Sequence, residues 1–278
     1  MSRSRPAVSI VIPAFNRRRL LPKTLASVRA QSFSDHEVVL IDDSSTDGTA
    51  NWVRRAFPEV RVVSLERNQG PAAARNRGLA EARGPLIAFL DADDVWRPTY
   101  LRAMVEELRD PRIVIAFSNV ERIDGRGRVT VRRALKKISP APFPMPVASA
   151  SVVRASALRR IDGFDPSFSR YFENVDLFTK LALRYGREGF RFIDRPLVSY
   201  RRHAAQLTSL LPRAKAWSNR TGPVGDEARR ALLDLAHLGA KHRSWMLPLL
   251  AARPASRSAL EEPGAGFFEL ALRRGRRS

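Results

Sequence analysis

Three carboxylates stand within four residues at Asp91-Ala92-Asp93-Asp94, directly after the apolar run 86–90. Like charges at this spacing repel one another, and a bound divalent cation would relieve that repulsion. Carboxylate oxygens are hard ligands of the kind that Mg²⁺ and Mn²⁺ prefer. Asp91 and Asp93 are alternate residues, so in an extended chain they point the same way and could share a metal and a phosphate. The alternative is a polar turn in which Asp94 helps to begin the next helix.

Polar segments also follow three earlier apolar runs. The second segment, Asp42-Asp43-Ser44-Ser45-Thr46-Asp47-Gly48, has good turn and capping chemistry, but Asp43 need not serve the turn and could accept hydrogen bonds from a nucleobase. Ligands of open parallel sheets bind beyond the carboxyl ends of the strands, so these segments form one candidate binding edge. The other residues of that edge are Pro13, Ala14, Phe15 and Asn16 after the first run, and Asn68, Gly70 and Arg75 after the third.

Strands that alternate with helices would bring these strand ends together. Such alternation is typical of right-handed βαβ units and a mostly parallel sheet. Thr46 is a candidate N-cap, and Pro71 suits the first turn of a helix. The predicted strands of the first half are 8–12, 37–41, 61–65 and 85–90, and the predicted helices are 20–31, 46–55, 71–82 and 99–109.

The pattern changes after residue 111. Strands are predicted at 113–117, 120–123, 129–131, 190–193 and 197–200, the second and third forming a hairpin around Asp124-Gly125-Arg126-Gly127. Helices are predicted at 156–161 and 175–185. Strand signals stop near residue 210, and helical patterns follow at 226–238, 245–251 and 266–274. The sequence thus predicts an α/β domain with a Rossmann-like mixed sheet, followed by a basic helical extension.

Composition and missing motifs exclude several classes of protein. Apolar residues make up 44% of the 278 residues, too many for a disordered basic tail, and there is no Cys for disulfides, Cys-based zinc sites or thiol catalysis. No Gly precedes Gly48 and no P-loop pattern occurs, so a nucleotide would be held without a glycine cradle. No apolar run is long enough to cross a bilayer, and the first residues do not resemble a secretory signal. We therefore expect a soluble cytoplasmic protein.

The formal net charge of +21 is unevenly distributed. Residues 1–100 hold 15 basic and 11 acidic residues, net +4, whereas residues 101–210 hold 21 and 11, net +10, and residues 211–278 hold 13 and 6, net +7. Such a charge suits phosphate-bearing partners, including nucleic acid, nucleotide diphosphates and anionic membranes, or simply a solvated surface. No nucleic-acid-binding signature accompanies it, so nucleic acid is the disfavoured partner.

Taken together, the motifs resemble the family-2 glycosyltransferases with a GT-A fold. The resemblance is carried by V-S-I-V-I-P-A-F-N at 8–16, I-D-D-S-S-T-D-G at 41–48, N-Q-G-P-A-A-A-R-N-R-G at 68–78 and F-L-D-A-D-D at 89–94. It continues through G-F-D at 163–165, E-N-V-D-L at 173–177 and Y-R-R-H at 200–203. It covers roughly residues 7–208, and the remaining residues are unmatched.

The resemblance implies roles for individual residues. Asp43 would bind the base, Asp91 would lie near the ribose and sugar, and Asp93 would be the metal ligand that holds the donor diphosphate, with Mn²⁺ or Mg²⁺ as cofactor. His203 matches a histidine near the diphosphate, or it is an ordinary surface histidine. The substrate-binding residues implied are Pro13, Ala14, Phe15, Asn16, Asp43, Asn68, Gly70, Arg75, Asp91 and His203.

One position departs from the family pattern. The family usually has Glu-Asp at the acceptor site, with the second acid as catalytic base, but here the pair is Glu173-Asn174, and Asn cannot take a proton. Glu173 could serve instead, and Asp176 is the second candidate because it lies three residues further on a similar helix face. Alternatively, Glu173 only caps a helix, and catalysis is weak or absent.

The resemblance implies an inverting, metal-dependent transfer of a sugar from a nucleotide-diphosphate donor, UDP-sugars being favoured, to a glycan or lipid-linked acceptor in cell-surface polysaccharide synthesis. The alternative is a catalytically impaired nucleotide-sugar-binding protein.

The expected GT-A domain is 1–208, with a nucleotide-binding half at 1–100 and an acceptor half at 101–208. The extension 209–278 ends in apolar residues followed by a basic cluster, which suits either peripheral contact with the cytoplasmic membrane face or packing on the domain.

Overall fold

The computed structural model describes residues 5–135, 146–168 and 172–201, together with His237 and Lys241. The helices predicted in the extension lie outside the described residues, apart from His237, which is helical; Lys241 is also helical but falls between the predicted ranges. Within the described ranges, no helix is both long and apolar enough to cross a membrane.

The first half alternates strands and helices, as the sequence predicts. Strands β1 to β4 pair in parallel in the order β3-β2-β1-β4, so that their carboxyl ends share one edge. Pro22 and Pro71 stand at the first turns of α1 and α3, where a missing amide proton costs nothing. The elements are β1 (Val8–Ala14), α1 (Leu21–Arg29), β2 (His36–Asp42), α2 (Thr49–Ala56), β3 (Val60–Ser64), α3 (Pro71–Glu81) and β4 (Leu86–Phe89).

The second half extends the same sheet with mixed pairing. Beyond β4, the order continues as β8-β6-β9-β5, with β6 and β9 parallel and the other pairs antiparallel, while β7 pairs with β6. The elements are β5 (Val95–Trp96), α4 (Tyr100–Glu107), β6 (Ile115–Ile123), β7 (Val129–Val131), β8 (Ser151–Arg154), α5 (Ala155–Arg159), α6 (Glu173–Tyr185) and β9 (Phe190–Arg201), with short 3-10 turns at Ala148–Ala150 and Arg187–Gly189. The predicted mixed, mostly parallel α/β architecture is confirmed.

Apolar side chains are buried on both faces of the sheet. One layer packs Phe117, Phe164 and Phe178 under α3 and α6, and the other packs Leu25, Trp96 and Tyr100 under α1 and α4. Burial on both faces explains why the central strands are continuous apolar runs in the sequence.

Three local predictions need correction. Thr46 does not cap α2: the helix follows Gly48, and Asp47 Oδ1 accepts the Thr49 amide proton at 3.0 Å. The strands predicted at 113–117 and 120–123 are one strand, β6, and those at 190–193 and 197–200 are also one, β9. The helix predicted at 175–185 begins two residues earlier, so Glu173 is its first residue, and its side chain contacts Arg75.

Candidate functional site

The loops after β1 and β2 are tied together. Asn16 and Ser44 both have positive φ, 53° and 63°, a conformation that Asn tolerates better than most residues. The Asn16 amide donates to Ser45 Oγ at 2.9 Å, and Asn16 Oδ1 accepts from the Thr46 amide at 2.8 Å. Phe15, beside them, has 37% of its surface exposed. Of the other predicted residues here, Ala14 is buried and Pro13 is half-buried at the end of β1.

Asp43 joins the loops after β2 and β3. It is 4% exposed, and its two carboxylate oxygens accept from the backbone amides of Gln69 at 2.7 Å and Gly70 at 2.8 Å. Asn68 Nδ2 donates to the Asp43 carbonyl at 3.2 Å. Gly70 has φ of 87°, which favours glycine, and Pro71 then begins α3. The structure therefore brings Asp43, Asn68 and Gly70 together at the ends of β2 and β3.

Arg75 links the two halves of the domain. It lies in the middle of α3, 3% exposed, and its guanidinium donates to Asp91 Oδ1 at 2.7 Å and to Glu173 Oε1 at 2.9 Å. Burial disfavours the charged guanidinium, but the two carboxylates outweigh that effect and raise the pKa of Arg75. Burial also raises the pKa of the Glu173 carboxyl, and the attraction of Arg75 offsets only part of this rise. Arg75 is thus permanently charged between two acids.

The three acids after β4 have different surroundings. Asp91 and Asp93 are half-buried, whereas Asp94 is fully buried and accepts from the Arg201 amide at 3.0 Å. Burial, and then the charges of Asp93 and Asp91, raise the pKa of Asp94 well above its ordinary value. Asp94 therefore faces the interior, whereas Asp91 and Asp93 remain partly exposed. The Asp94 amide donates to the Asp91 carbonyl at 3.1 Å, so these acids lie in a turn and not in an extended chain.

Three side chains that the sequence reading did not single out hold this acidic turn. Thr24 Oγ1 donates to the carbonyls of Ala92 at 3.1 Å and Asp94 at 2.8 Å. Ser149 Oγ accepts from the Asp91 amide at 3.0 Å, and Arg201 Nε donates to the Asp93 carbonyl at 3.1 Å. Only Arg201 carried a signal, since it belongs to Y-R-R-H; Thr24 and Ser149 look like ordinary small polar residues in the sequence.

The acidic turn has the donor atoms for a divalent cation whose other coordination positions are filled by a bound ligand. Among the described residues, no group of three or more His, Asp or Glu side chains is placed to hold a metal by itself. Mg²⁺ and similar ions are commonly held by one or two carboxylates together with substrate phosphates and water. Asp91 and Asp93 offer that minimal donor set of hard oxygens.

The two candidate bases on α6 have different environments. Glu173 reaches Arg75, whereas Asp176, 0% exposed, lies 3.2 Å from Lys180 Nζ through Oδ2 and 2.8 Å from Lys241 Nζ through Oδ1. Asn174 Nδ2 donates to Glu173 Oε1 at 3.3 Å. Arg75 thus connects Glu173, and not Asp176, to the residues at the strand ends. His203 lies outside the described residues.

A family model described as Glycosyl transferase family 2 matches residues 9–196, which run from β1 into β9 and include Asp43, Arg75, Asp91, Asp93 and Glu173. The chain belongs to glycosyl transferase family 2. It is 35% identical to the succinoglycan biosynthesis protein ExoO of Rhizobium meliloti over 188 residues, which are 66% of this chain and 53% of that protein. It is also 33% identical over 114 residues to the UDP-Glc:alpha-D-GlcNAc-diphosphoundecaprenol beta-1,3-glucosyltransferase WfaP of Escherichia coli, covering 40% of this chain and 45% of WfaP. The chain spans about half the length of these curated relatives.

Solved structures share the fold of this family-2 chain. Residues 1–349 of S. aureus TarS, in complex with UDP-GlcNAc, align with a TM-score of 0.61 at 19% identity, covering 95% of this chain and 81% of that one. The mannosyltransferase PcManGT of Pyrobaculum calidifontis, in complex with GDP-Man and Mn²⁺, aligns with a TM-score of 0.59 at 21% identity, covering 98% and 88%. At these identities the likeness shows the fold, and the predicted GT-A architecture is confirmed.

Proposed function

We propose that this chain is an inverting glycosyltransferase that moves a sugar from a nucleotide-diphosphate donor to an acceptor hydroxyl. The observation that carries the proposal is the bridge by which Arg75 joins Asp91, at the strand ends, to Glu173 in the acceptor half. The bridge holds an acid of the proposed donor site beside an acid of the proposed acceptor site, which is the proximity that a transfer between donor and acceptor needs. UDP-sugars are the favoured donors, because WfaP uses UDP-Glc by name and TarS binds UDP-GlcNAc.

The donor would lie across the loops after β1, β2 and β3. Asp43 would accept from the base, and Pro13, Ala14, Phe15 and Asn16 would line the nucleoside pocket beside Asn68 and Gly70. Asp93, with Asp91 beside it, would hold Mn²⁺ or Mg²⁺, which supplies positive charge against the diphosphate when it is bound. The Mn²⁺ in PcManGT supports this assignment. His203 would lie near the diphosphate.

Glu173 would act as the general base. Its carboxylate would take the proton of the acceptor hydroxyl while that oxygen bonds to the anomeric carbon and the bond from this carbon to the diphosphate breaks. The raised pKa of Glu173 makes it a stronger base than an exposed glutamate. We prefer it to Asp176, whose oxygens face two lysines.

The acceptor is proposed to be a glycan or a lipid-linked saccharide, since ExoO and WfaP bear names of polysaccharide synthesis and of a diphosphoundecaprenol acceptor. With such acceptors, the enzyme would act at the cytoplasmic face of the membrane and contact it peripherally through the basic residues 209–278. The division into a GT-A domain at 1–208 and an extension at 209–278 is likewise a proposal.

A second candidate function is nucleotide-sugar binding without transfer. It is favoured by Asn174, which stands where the family base is expected, and by the engagement of Glu173 with Arg75. The test is nucleotide release from a panel of UDP-, GDP- and dTDP-sugars with an acceptor extract, with and without Mn²⁺, using wild type, Glu173→Gln and the exposed control Glu188→Gln. Transfer requires Mn²⁺-dependent release that Glu173→Gln loses and Glu188→Gln keeps. Donor binding without release in every protein would establish the second function instead.

A further inference from the structure

An open pocket of about 360 Å³ lies beside β5, the short strand that follows the acidic turn, and none of the proposed donor-binding residues lines it. Its walls come from α1, β5, β6, the β6–β7 turn and β9. Four of its lining side chains are cationic and one is anionic: Lys23, Arg97, Arg126 and Arg201 face Glu121. The pocket therefore has an excess of three positive charges in a concave site, where charge of one sign attracts counter-ions most strongly.

Arg201 is the buried cation of this pocket. It is 3% exposed, and its guanidinium donates to the backbone carbonyls of Asp93 at 3.1 Å, Asp124 at 3.3 Å and Gly125 at 3.4 Å. Within the described ranges, no carboxylate accepts a hydrogen bond from this guanidinium. A buried cation that is oriented by neutral carbonyls is held in place without a direct carboxylate partner, so its charge can attract an anion in the pocket.

The single acid of the pocket is already occupied. Glu121 Oε1 accepts from Arg97 Nη2 at 2.6 Å and from Ser199 Oγ at 2.5 Å. Lys23 and Arg126, by contrast, are exposed at the rim, and in the part of the chain that the structure describes their side chains have no hydrogen-bond or ion-pair partner. Glu121 therefore neutralises Arg97, and the excess charge is carried by Lys23, Arg126 and Arg201.

We propose that this pocket is a second anion site, which binds a phosphate or diphosphate group separately from the nucleotide donor. Three unneutralised cations match the several charges of a diphosphate better than the single charge of a carboxylate. The site would account for part of the positive charge of residues 101–210, through Arg126 and Arg201. It does not depend on the proposed transfer reaction, because none of the residues assigned to that reaction lines the pocket.

The test uses inorganic pyrophosphate as the probe and the full chain, titrated by calorimetry in EDTA so that no divalent metal bridges the anion to the acidic turn. Lys23→Ala with Arg126→Ala removes the two exposed cations and spares every buried contact. The control, Arg184→Ala with Arg187→Ala, removes the same charge from exposed residues near the end of α6, outside the pocket. We expect saturable binding by wild type and by the control, and binding about tenfold weaker in the pocket variant.

The proposal is overturned if wild type shows no saturable binding, if the pocket variant binds as wild type does, or if the control weakens equally, which would indicate net charge alone. Flotation with phosphatidylglycerol vesicles, against phosphatidylcholine vesicles, then distinguishes two sources of the same chemistry. Loss of both pyrophosphate and vesicle binding in the pocket variant identifies a lipid headgroup as the occupant. Loss of pyrophosphate binding alone identifies a diphosphate free of the membrane surface.

Discussion

Arg75 and Glu173 form a buried ion pair across 98 residues of sequence, with Arg75 Nη1 2.9 Å from Glu173 Oε1. The pair fixes the first turn of α6 against the middle of α3. Because Arg75 also holds Asp91, any displacement of α6 changes the surroundings of the acid that follows β4. The relative placement of the two halves of the proposed active site thus depends on one guanidinium.

Replacing Arg75 with Ala should lower the free energy of unfolding by about 3–5 kcal/mol, because Glu173 would remain buried without its partner. Urea denaturation followed by circular dichroism measures this loss. The control is Arg77→Ala, two residues further on α3, whose ion pair with Glu81 is half-exposed and worth about 1 kcal/mol or less. Equal losses in the two variants would contradict a structural role for the Arg75 bridge.

The activity should depend on the ionisation of Glu173. Burial raises its pKa above the ordinary value of 4.5, and Arg75 offsets part of the rise. A base must be unprotonated to work, so the rate should fall as the pH falls through this raised pKa. The acid limb of a plot of kcat/KM against pH should therefore lie above the ordinary range of glutamate. The limb should be missing from the residual activity of Glu173→Gln, and its persistence there would assign it to another group.

Gly78 should be essential for the position of α3. A Cβ on Gly78 would lie 2.1 Å from Val11 Cγ1 in the centre of β1, so the helix carrying Arg75 would have to move away from the sheet. We expect Gly78→Ala to lower the free energy of unfolding by about 1–3 kcal/mol, as overpacking does. Gly125→Ala is the matched control, since a Cβ there meets nothing within 4 Å. Thermal and urea unfolding of both variants would show the difference, and a neutral Gly78→Ala would mean that the helix shifts freely.

The strand ends of the first half could be predicted from sequence, because each short apolar run and the helix after it is a local signal. The extended chain considered for Asp91 and Asp93 was wrong, because residues 91–94 form a turn in which the Asp94 amide donates to the Asp91 carbonyl. What could not be predicted depends on distant partners. β5 has only two residues and exists because Val95 and Trp96 pair with Ser199 and Val198.

Two further features needed the tertiary structure. The sequence of β9 predicts two strands because Pro196 interrupts it. In the structure it is one strand, because its pairing with β6 shifts register around Asn119 and accommodates the proline there. The Arg75–Glu173 pair could not be predicted either, because the sequence pattern of α3 carries no information about which residue of α6 will contact it.

Asp43 should stabilise the loop after β3 as well as bind a donor. Asp43→Ala removes the acceptors of the Gln69 and Gly70 amides, and we expect a loss of about 2–4 kcal/mol in the free energy of unfolding from two unsatisfied amides. Hydrogen exchange should accelerate at these two amides. Asp35→Ala, an exposed acid before β2, should change stability by no more than about 0.5 kcal/mol. Unchanged hydrogen exchange at Gln69 and Gly70 would contradict the predicted role of Asp43 in stabilising this loop.

Lys241 should hold the acceptor half in a pH-dependent way. Its Nζ lies 2.6 Å from Asp165 Oδ2 and 2.8 Å from Asp176 Oδ1. Although burial opposes it, hydrogen bonds from Lys241 and Ser167 lower the pKa of Asp165. An acid with a lowered pKa contributes stability that is present above its ordinary pKa and is lost as the pH falls towards the lowered value.

Lys241→Met keeps the length of the side chain and removes its charge. It should lower the free energy of unfolding by about 1–2 kcal/mol at neutral pH, because Asp165 and Asp176 lose a shared ion-pair partner while Asp176 keeps Lys180. The difference in the free energy of unfolding between variant and wild type should be smaller at about pH 3, because Asp165 is protonated more easily in the folded variant than in the folded wild type. Urea denaturation at both pH values measures this, with the exposed Arg187→Ala as control. A gap that is the same at both pH values would mean that Lys241 contributes by packing, and that its charge on Asp165 and Asp176 adds nothing to the stability of the fold.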